Sequence, residues 1–519
     1  MLPAAAKPFL FVAALSLASS FILAAQSENQ PHAPAAAAPS APAKETYHEP
    51  EPVDKASVTH HSAQIGGQEI RYTATAGALV LKEDNGKPKA SIFYVAYTRD
   101  GSTDLTKRPI TFSFNGGPGS SSVWLHMGAL GPKRVPLSEE GFPVPPPYPI
   151  SDNQYSALDY TDLVFIDPVT TGFSRPAPGV DAKQFHGLEG DLASVADFIR
   201  LYLTRSNRWN SPKFLAGESY GTTRAAGLSD YLLEHDGIYL NGITLISSVL
   251  NFETLDFQPG NDLPYILYLP TYTAAAWYHK KLPADLGDLQ KAVAESKRFA
   301  ANEYTVALMK GDQLPDSERA AMAKQMARLT GLPEKLIEQS RLRIRISVFT
   351  KKLLEGEGRT IGRYDSRLEG IGHDPTAGSS EYDPSYASVQ GAYTAAFNEY
   401  IRAQLKWESD RPYEILTGKV QPWSYKEFEN SYVNVADRLR KAIAQNQNLH
   451  VLVANGYYDL ATPFFATEYT FHHMELDPKL RGNVSMMYCD AGHMLYTKSA
   501  CLASLHQHMA AFYAKSLAK

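Results

Sequence analysis

The sequence predicts an α/β protein, a mostly parallel sheet covered by helices. Three observations carry the prediction. First, short apolar runs of buried-strand type, "TDLVFIDP", "SPKFLAG" and "LNGITLISSVL", are separated by helical stretches. Second, between the first two runs lies "LEGDLASVADFIRLYLTRSNRW", where Leu192, Val195, Ala196, Ile199 and Leu203 recur at helical spacing. Third, the alternation resumes near the C-terminus with "NLHVLVANG", "RGNVSMMYCDAGH" and a closing helix, "ACLASLHQHMAAFYAKSL". Strand–helix–strand order of this kind builds parallel sheets with helices on their faces.

Residues 1–25 read as a cleaved export signal: Lys7 precedes the apolar stretch "PFLFVAALSLASSFILAA", which ends in small residues and is followed by polar "QSENQ". An uncleaved single-pass anchor is the alternative. Residues 26–57 have the Pro/Ala bias of an extended, disordered linker. Residues 58–250 form the N-terminal part of the α/β core. Here "QEIRYTATAGALVLKE" and "KASIFYVAYTRDG" alternate as a hairpin or ribbon, and "RPITFSF" is a β-branched and aromatic strand. "TTRAAGLSDYLLEHD" reads as a helix after "SPKFLAG". Residues 251–447 differ in character, with helical stretches such as "SERAAMAKQMARLTG" and "PEKLIEQSRL" among loops rich in Tyr, Asp and Gly. They are expected to form a largely helical insertion that caps the sheet, a separate domain being the alternative. Its aromatic stretch Asp262–His279 is expected to contribute to a cleft. Residues 448–519 complete the core.

Length and composition narrow the partners. A chain of 519 residues, 44% hydrophobic and 20% charged, can bury a large core. The net charge of −5 and the lack of a Lys/Arg-rich run argue against nucleic acid. Stable membrane association after signal cleavage is not expected, and the destination is periplasmic or secreted. No Cys/His pattern has metal-ligand spacing, so neither a metal nor another cofactor is expected. The cysteines Cys489 and Cys501 could pair in an exported chain or remain free; spacing alone does not decide.

The chemistry concentrates in glycine-rich turns and strand ends. Gly217-Glu218-Ser219-Tyr220-Gly221 follows one expected strand and opens an expected helix. In that setting G-x-S-x-G lifts the serine hydroxyl above the sheet on a sharp turn whose flanks must be glycine. A serine needs a base held by a carboxylate. Asp459, just past "LHVLVANGYY", and His493, just past the next strand, supply them in the order Ser, acid, His. Asp490 is a rival acid, set aside because it shares a strand end with His493. The oxyanion formed on the attacked carbonyl needs preorganised donors. The backbone amides of Tyr220 and of Gly117 in "NGGPG" are the candidates, since Pro118 has none.

The motifs "NGGPGSSS", "LGPKRV", "DLVFIDPVTTGFSR", "GESYG", "NGYYD" and "AGHM", in this order from about Tyr72 onward, resemble the serine carboxypeptidases of peptidase family S10. The resemblance implies an α/β-hydrolase fold with a cap insertion, a triad of Ser219, Asp459 and His493, an oxyanion hole from Gly117 and Tyr220, and a peptide substrate. It also implies that Asn115 and Glu218 hold the substrate's free carboxylate. Two further positions of that set depart from the pattern: Ser113 stands where tryptophan is expected, and Ala129 where a second glutamate is expected. Ser120 stands at the usual cysteine. Without a second carboxyl group beside it, Glu218 is expected to lose its nearest reason to stay protonated. Hence a weaker preference for acid pH and looser recognition of a free C-terminus are expected. An esterase, acyltransferase or amidase with the same triad, or a non-catalytic binding protein on the same fold, remain open on sequence alone.

Overall fold

The computed structural model describes residues 50–372, 374 and 380–518; the expected signal peptide, and the linker up to residue 49, lie outside the described residues. Nine strands run through the central sheet: β1 (Lys55–Ile65), β2 (Gln68–Lys82), β3 (Pro88–Arg99), β4 (Ile110–Phe114), β5 (Asp162–Ile166), β6 (Lys213–Ser219), β7 (Gly242–Ser248), β8 (His450–Gly456) and β9 (Val484–Cys489). Their spatial order is β1-β2-β3-β5-β4-β6-β7-β8-β9, and a two-residue strand, Arg175–Pro176, pairs with β3 as a tenth member. From β5 to β9 every pairing is parallel. The first three strands form an antiparallel ribbon joined to β5 through β3. The fold is therefore α/β with a mostly parallel central sheet.

Strand pleat explains how one sheet serves two cores. Side chains alternate between faces. On β7, Ile243 and Leu245 enter one core while Ile246 enters the other; on β8, Val451 and Val453 oppose Leu452 and Ala454. Three helices cover the first face: α1 (Leu188–Arg205), α2 (Tyr220–Asp236) and α5 (Ala436–Gln445). The second face is covered by α4 (Pro384–Glu399) and α6 (Ser499–Leu517).

The region after β7 contains a helical body with a core of its own, built around α3 (Leu263–Tyr278) and the helices Leu289–Phe299, Asp316–Thr330 and Glu334–Gln339. The aromatic stretch expected to contribute to a cleft stands apart from the active-site cavity, although Asp262 and Tyr265 line a separate cavity of ≈ 360 Å³. Tyr265, Tyr268 and Tyr272 of α3 are buried in this body, and no residue of 262–279 lines the cavity described below. Apolar content all round a helix signals burial without saying where. Cys489, ending β9, and Cys501 in α6 form a disulfide.

Candidate active site

The functional candidates lie at the carboxyl ends of four parallel strands, where open α/β sheets bind ligands. Ser219 ends β6 and precedes α2 with φ 59° and ψ −131°. A non-glycine residue held there stores on the order of 1–3 kcal/mol of strain, which the surrounding turn must enforce. It does so by close approach: a Cβ on Gly217 would lie 2.2 Å from the Gly221 carbonyl oxygen. The "NGGPG" turn after β4 abuts the same elbow, since a Cβ on Gly116 would lie 2.4 Å from the Tyr220 amide nitrogen. Gly117 and Tyr220 thus border one cavity with Ser219.

A buried ion pair that the motifs did not reveal fixes this turn. Arg224 of α2 donates through Nη1 to the Asn115 carbonyl at 2.6 Å and through Nε to Asp191 of α1 at 2.7 Å. The Leu125 amide donates to Asn115 Oδ1 at 3.0 Å, and Asn115 Nδ2 donates to Glu218 Oε2 at 3.0 Å.

His493 follows β9 and meets Asp459, which follows β8: Nδ1 and Asp459 Oδ2 are 2.8 Å apart. Both side chains are buried. The amides of Ala461 and Thr462 donate to Asp459 Oδ1, and the Thr462 hydroxyl donates to Oδ2 at 2.7 Å. Asp459 accepts four hydrogen bonds in all, as a buried carboxylate should. The rival Asp490 is exposed. Burial alone would lower the pKa of His493, but the charge and hydrogen bond of Asp459 outweigh it and raise it. The His493 backbone is held by its amide donating to the Tyr364 carbonyl and by the Ser247 hydroxyl donating to its carbonyl, each at 2.6 Å.

Glu218 departs from the sequence expectation. Burial pushes its carboxyl up to about 7, so it keeps its proton at mildly acid pH without a second glutamate nearby. In place of that acid, Tyr496 donates to Oε2 at 2.5 Å, the same oxygen that accepts from Asn115. With both donors on Oε2, the proton belongs on Oε1. The Ala129 side chain is buried in the sheet's second core. A Cβ on its neighbour Gly128 would meet the Tyr393 hydroxyl and the Tyr496 ring, so tyrosines fill this corner. Ser113 on β4 is buried, and its hydroxyl has no hydrogen-bond partner.

These groups enclose a cavity of ≈ 170 Å³ lined by Ser219, His493, Glu218, Asn115 and Trp124 among others. Trp124, Arg363, Tyr364 and Tyr386 were missed by motif reasoning. Only Trp124 had a local signal, its place directly after "SSSV". Among the described residues, no group of three His, Cys, Asp or Glu is placed to hold a metal ion.

Sheet order, the strained serine and the strand-end placement of Asp459 and His493 define an α/β-hydrolase fold. Within that fold the chain belongs to the serine carboxypeptidase family S10, which residues 68–499 match. It is similar to serine carboxypeptidase-like 45 of Arabidopsis thaliana, 27% identical over 39% of this chain and 42% of the relative. Serine carboxypeptidase-like 34 of the same plant is 28% identical over 36% and 37%. The chain therefore spans well under two thirds of the length of these curated relatives. Kex1(delta)p, a prohormone-processing carboxypeptidase from Saccharomyces cerevisiae, shares the fold with a TM-score of 0.56 at 17% identity, covering 85% of this chain and 91% of that one.

Proposed function

We propose that the protein is an exported serine carboxypeptidase that hydrolyses C-terminal peptide bonds. Ser219 Oγ attacks the scissile carbonyl and passes its proton to His493 Nε2. The Gly117 and Tyr220 amides stabilise the resulting oxyanion. His493 returns the proton to the departing amine, leaving an acyl-enzyme that water, activated by the same imidazole, releases. Asp459 fixes the ring so that Nδ1 carries the hydrogen it shares with the carboxylate. Asn115 and protonated Glu218 receive the free carboxylate of the peptide.

The contact that carries the proposal is the 2.8 Å bond between His493 Nδ1 and the buried Asp459, which commits Nε2 to the cavity chemistry. The Cys489–Cys501 disulfide supports export, since such bonds persist in oxidising compartments. Ser113 and Ala129 favour a second reading, a hydrolase for other acyl groups on the same triad. Two assays decide. A fluorophosphonate probe labels the native protein and not Ser219→Ala if Ser219 is the nucleophile. A blocked dipeptide is cleaved at least about tenfold faster than its C-terminal amide if the enzyme is a carboxypeptidase; equal rates select the wider hydrolase.

A further inference from the structure

Glu218 and Asn115 are both uncharged at mildly acid pH, and the second acid of the resembled set is absent at Ala129. Bringing a carboxylate into a partly enclosed cavity costs its hydration unless an opposite charge compensates. Arg363 is the only lysine or arginine lining the cavity among the described residues. Its guanidinium makes no ion pair with any described residue, whereas Arg108, Arg208, Arg224 and Arg343 each do.

The backbone at Arg363 is fixed while its side chain is exposed. The Arg363 amide donates to both oxygens of Asp383, at 3.3 and 3.2 Å, and its carbonyl accepts from the Leu460 amide at 3.0 Å. Asp383 is the acid on that side, but it is also engaged by the amide and the hydroxyl of Ser385. The guanidinium lies 5.3 Å over the Tyr364 ring, which is itself 5.3 Å from the His493 ring. Arg363 also borders a second cavity of ≈ 310 Å³ lined by Thr350, Tyr382 and Asp383, so it stands on the wall between the two spaces. A charged fork with a stacked plane and no counter-ion among the described residues is suited to bidentate capture of a carboxylate.

We infer that Arg363 is a substrate-binding residue that recognises a carboxylate of the peptide's leaving residue, either its terminal carboxylate or an acidic side chain. The inference rests on the cavity being the substrate site. Its test is therefore a binding measurement that needs no turnover. Calorimetric titration of full-length Ser219→Ala protein, with and without Arg363→Gln or Arg363→Lys, uses acetyl-Phe-Ala, its C-terminal amide, acetyl-Phe-Asp and acetyl-Phe-Asn. Arg363→Gln is expected to weaken acetyl-Phe-Ala about tenfold and its amide less than twofold, with Arg363→Lys in between. If the terminal carboxylate is the partner, aspartate and asparagine peptides lose affinity alike. A selective loss for acetyl-Phe-Asp assigns the acidic side chain. Unchanged affinities, or equal losses for acid and amide, overturn the inference. Failure of wild-type protein to cleave these peptides, with the binding pattern intact, would instead count against the proposed reaction.

Discussion

Glu218→Gln separates the proton on Glu218 from everything else in the cavity. The amide keeps the shape: its oxygen can accept from Asn115 and Tyr496 as Oε2 does, and its NH₂ replaces the Oε1 proton as donor. What it removes is titration. With the carboxyl held at about 7 by burial, about nine tenths of native molecules carry the proton at pH 6 and about one tenth at pH 8. For a free-acid dipeptide, loss of that proton alone should thus lower kcat/KM of the native enzyme about tenfold between pH 6 and 8, against the rise that deprotonation of His493 brings at the acid end. In Glu218→Gln that tenfold loss should disappear, leaving the rise that follows His493. The acid limb has the opposite origin. His493 must be neutral to act as base, and its raised pKa costs activity as pH falls through it. Glu218 contributes to that raising, so the limb should move to lower pH in the variant. Tyr496→Phe supplies a signed control. The Tyr496 hydroxyl stabilises the Glu218 anion and lowers its pKa, so its loss should carry the alkaline limb to higher pH. An alkaline limb left unchanged in Glu218→Gln would refute its assignment to Glu218.

Asp459→Asn turns a carboxylate that accepts from His493 into an amide that favours the wrong imidazole tautomer, and kcat should fall by on the order of 10⁴ with KM little changed in steady-state assays. Ser113→Ala removes a buried hydroxyl that has no partner; urea unfolding should show stability unchanged or raised by up to about 1 kcal/mol. The double variant Cys489→Ser/Cys501→Ser opens a cross-link with a sequence separation of 12. The chain-entropy argument predicts a loss of about 3 kcal/mol, measurable as a lower urea midpoint.

What could be read from sequence was what the backbone settles locally. The turn at Ser219 announces itself because Gly217 and Gly221 have no room for side chains, a constraint written within five residues. The β5, β7 and β8 strands are nearly continuous apolar runs, since both of their faces are covered, whereas β9 at the sheet edge buries only Met487. β1 escaped because only Ala63 and Ile65 of its eleven residues are buried, so its alternation is faint. Arg363 and Tyr496 were invisible for a different reason. Arg363 lines the cavity from a loop remote from the motifs, and Tyr496, only three residues past His493, meets Glu218 through a tertiary contact that its own neighbourhood does not record. The protonation of Glu218 failed in the same way: the sequence offered a missing neighbour, whereas burial by surrounding tyrosines and the sheet does the holding.

The disulfide joins the end of β9 to α6, and His493 lies inside the loop it closes. The proton carrier of the proposed reaction thus rides on a tethered segment whose other end is anchored in the closing helix. Opening that tether is expected to relax this short segment before the sheet and its two cores come apart. A thiol reductant should accordingly behave as a slow inhibitor, silencing the base well before spectroscopic signals of unfolding change. Full activity would then follow the thiol–disulfide balance of the surroundings, a form of control that requires no inhibitor protein.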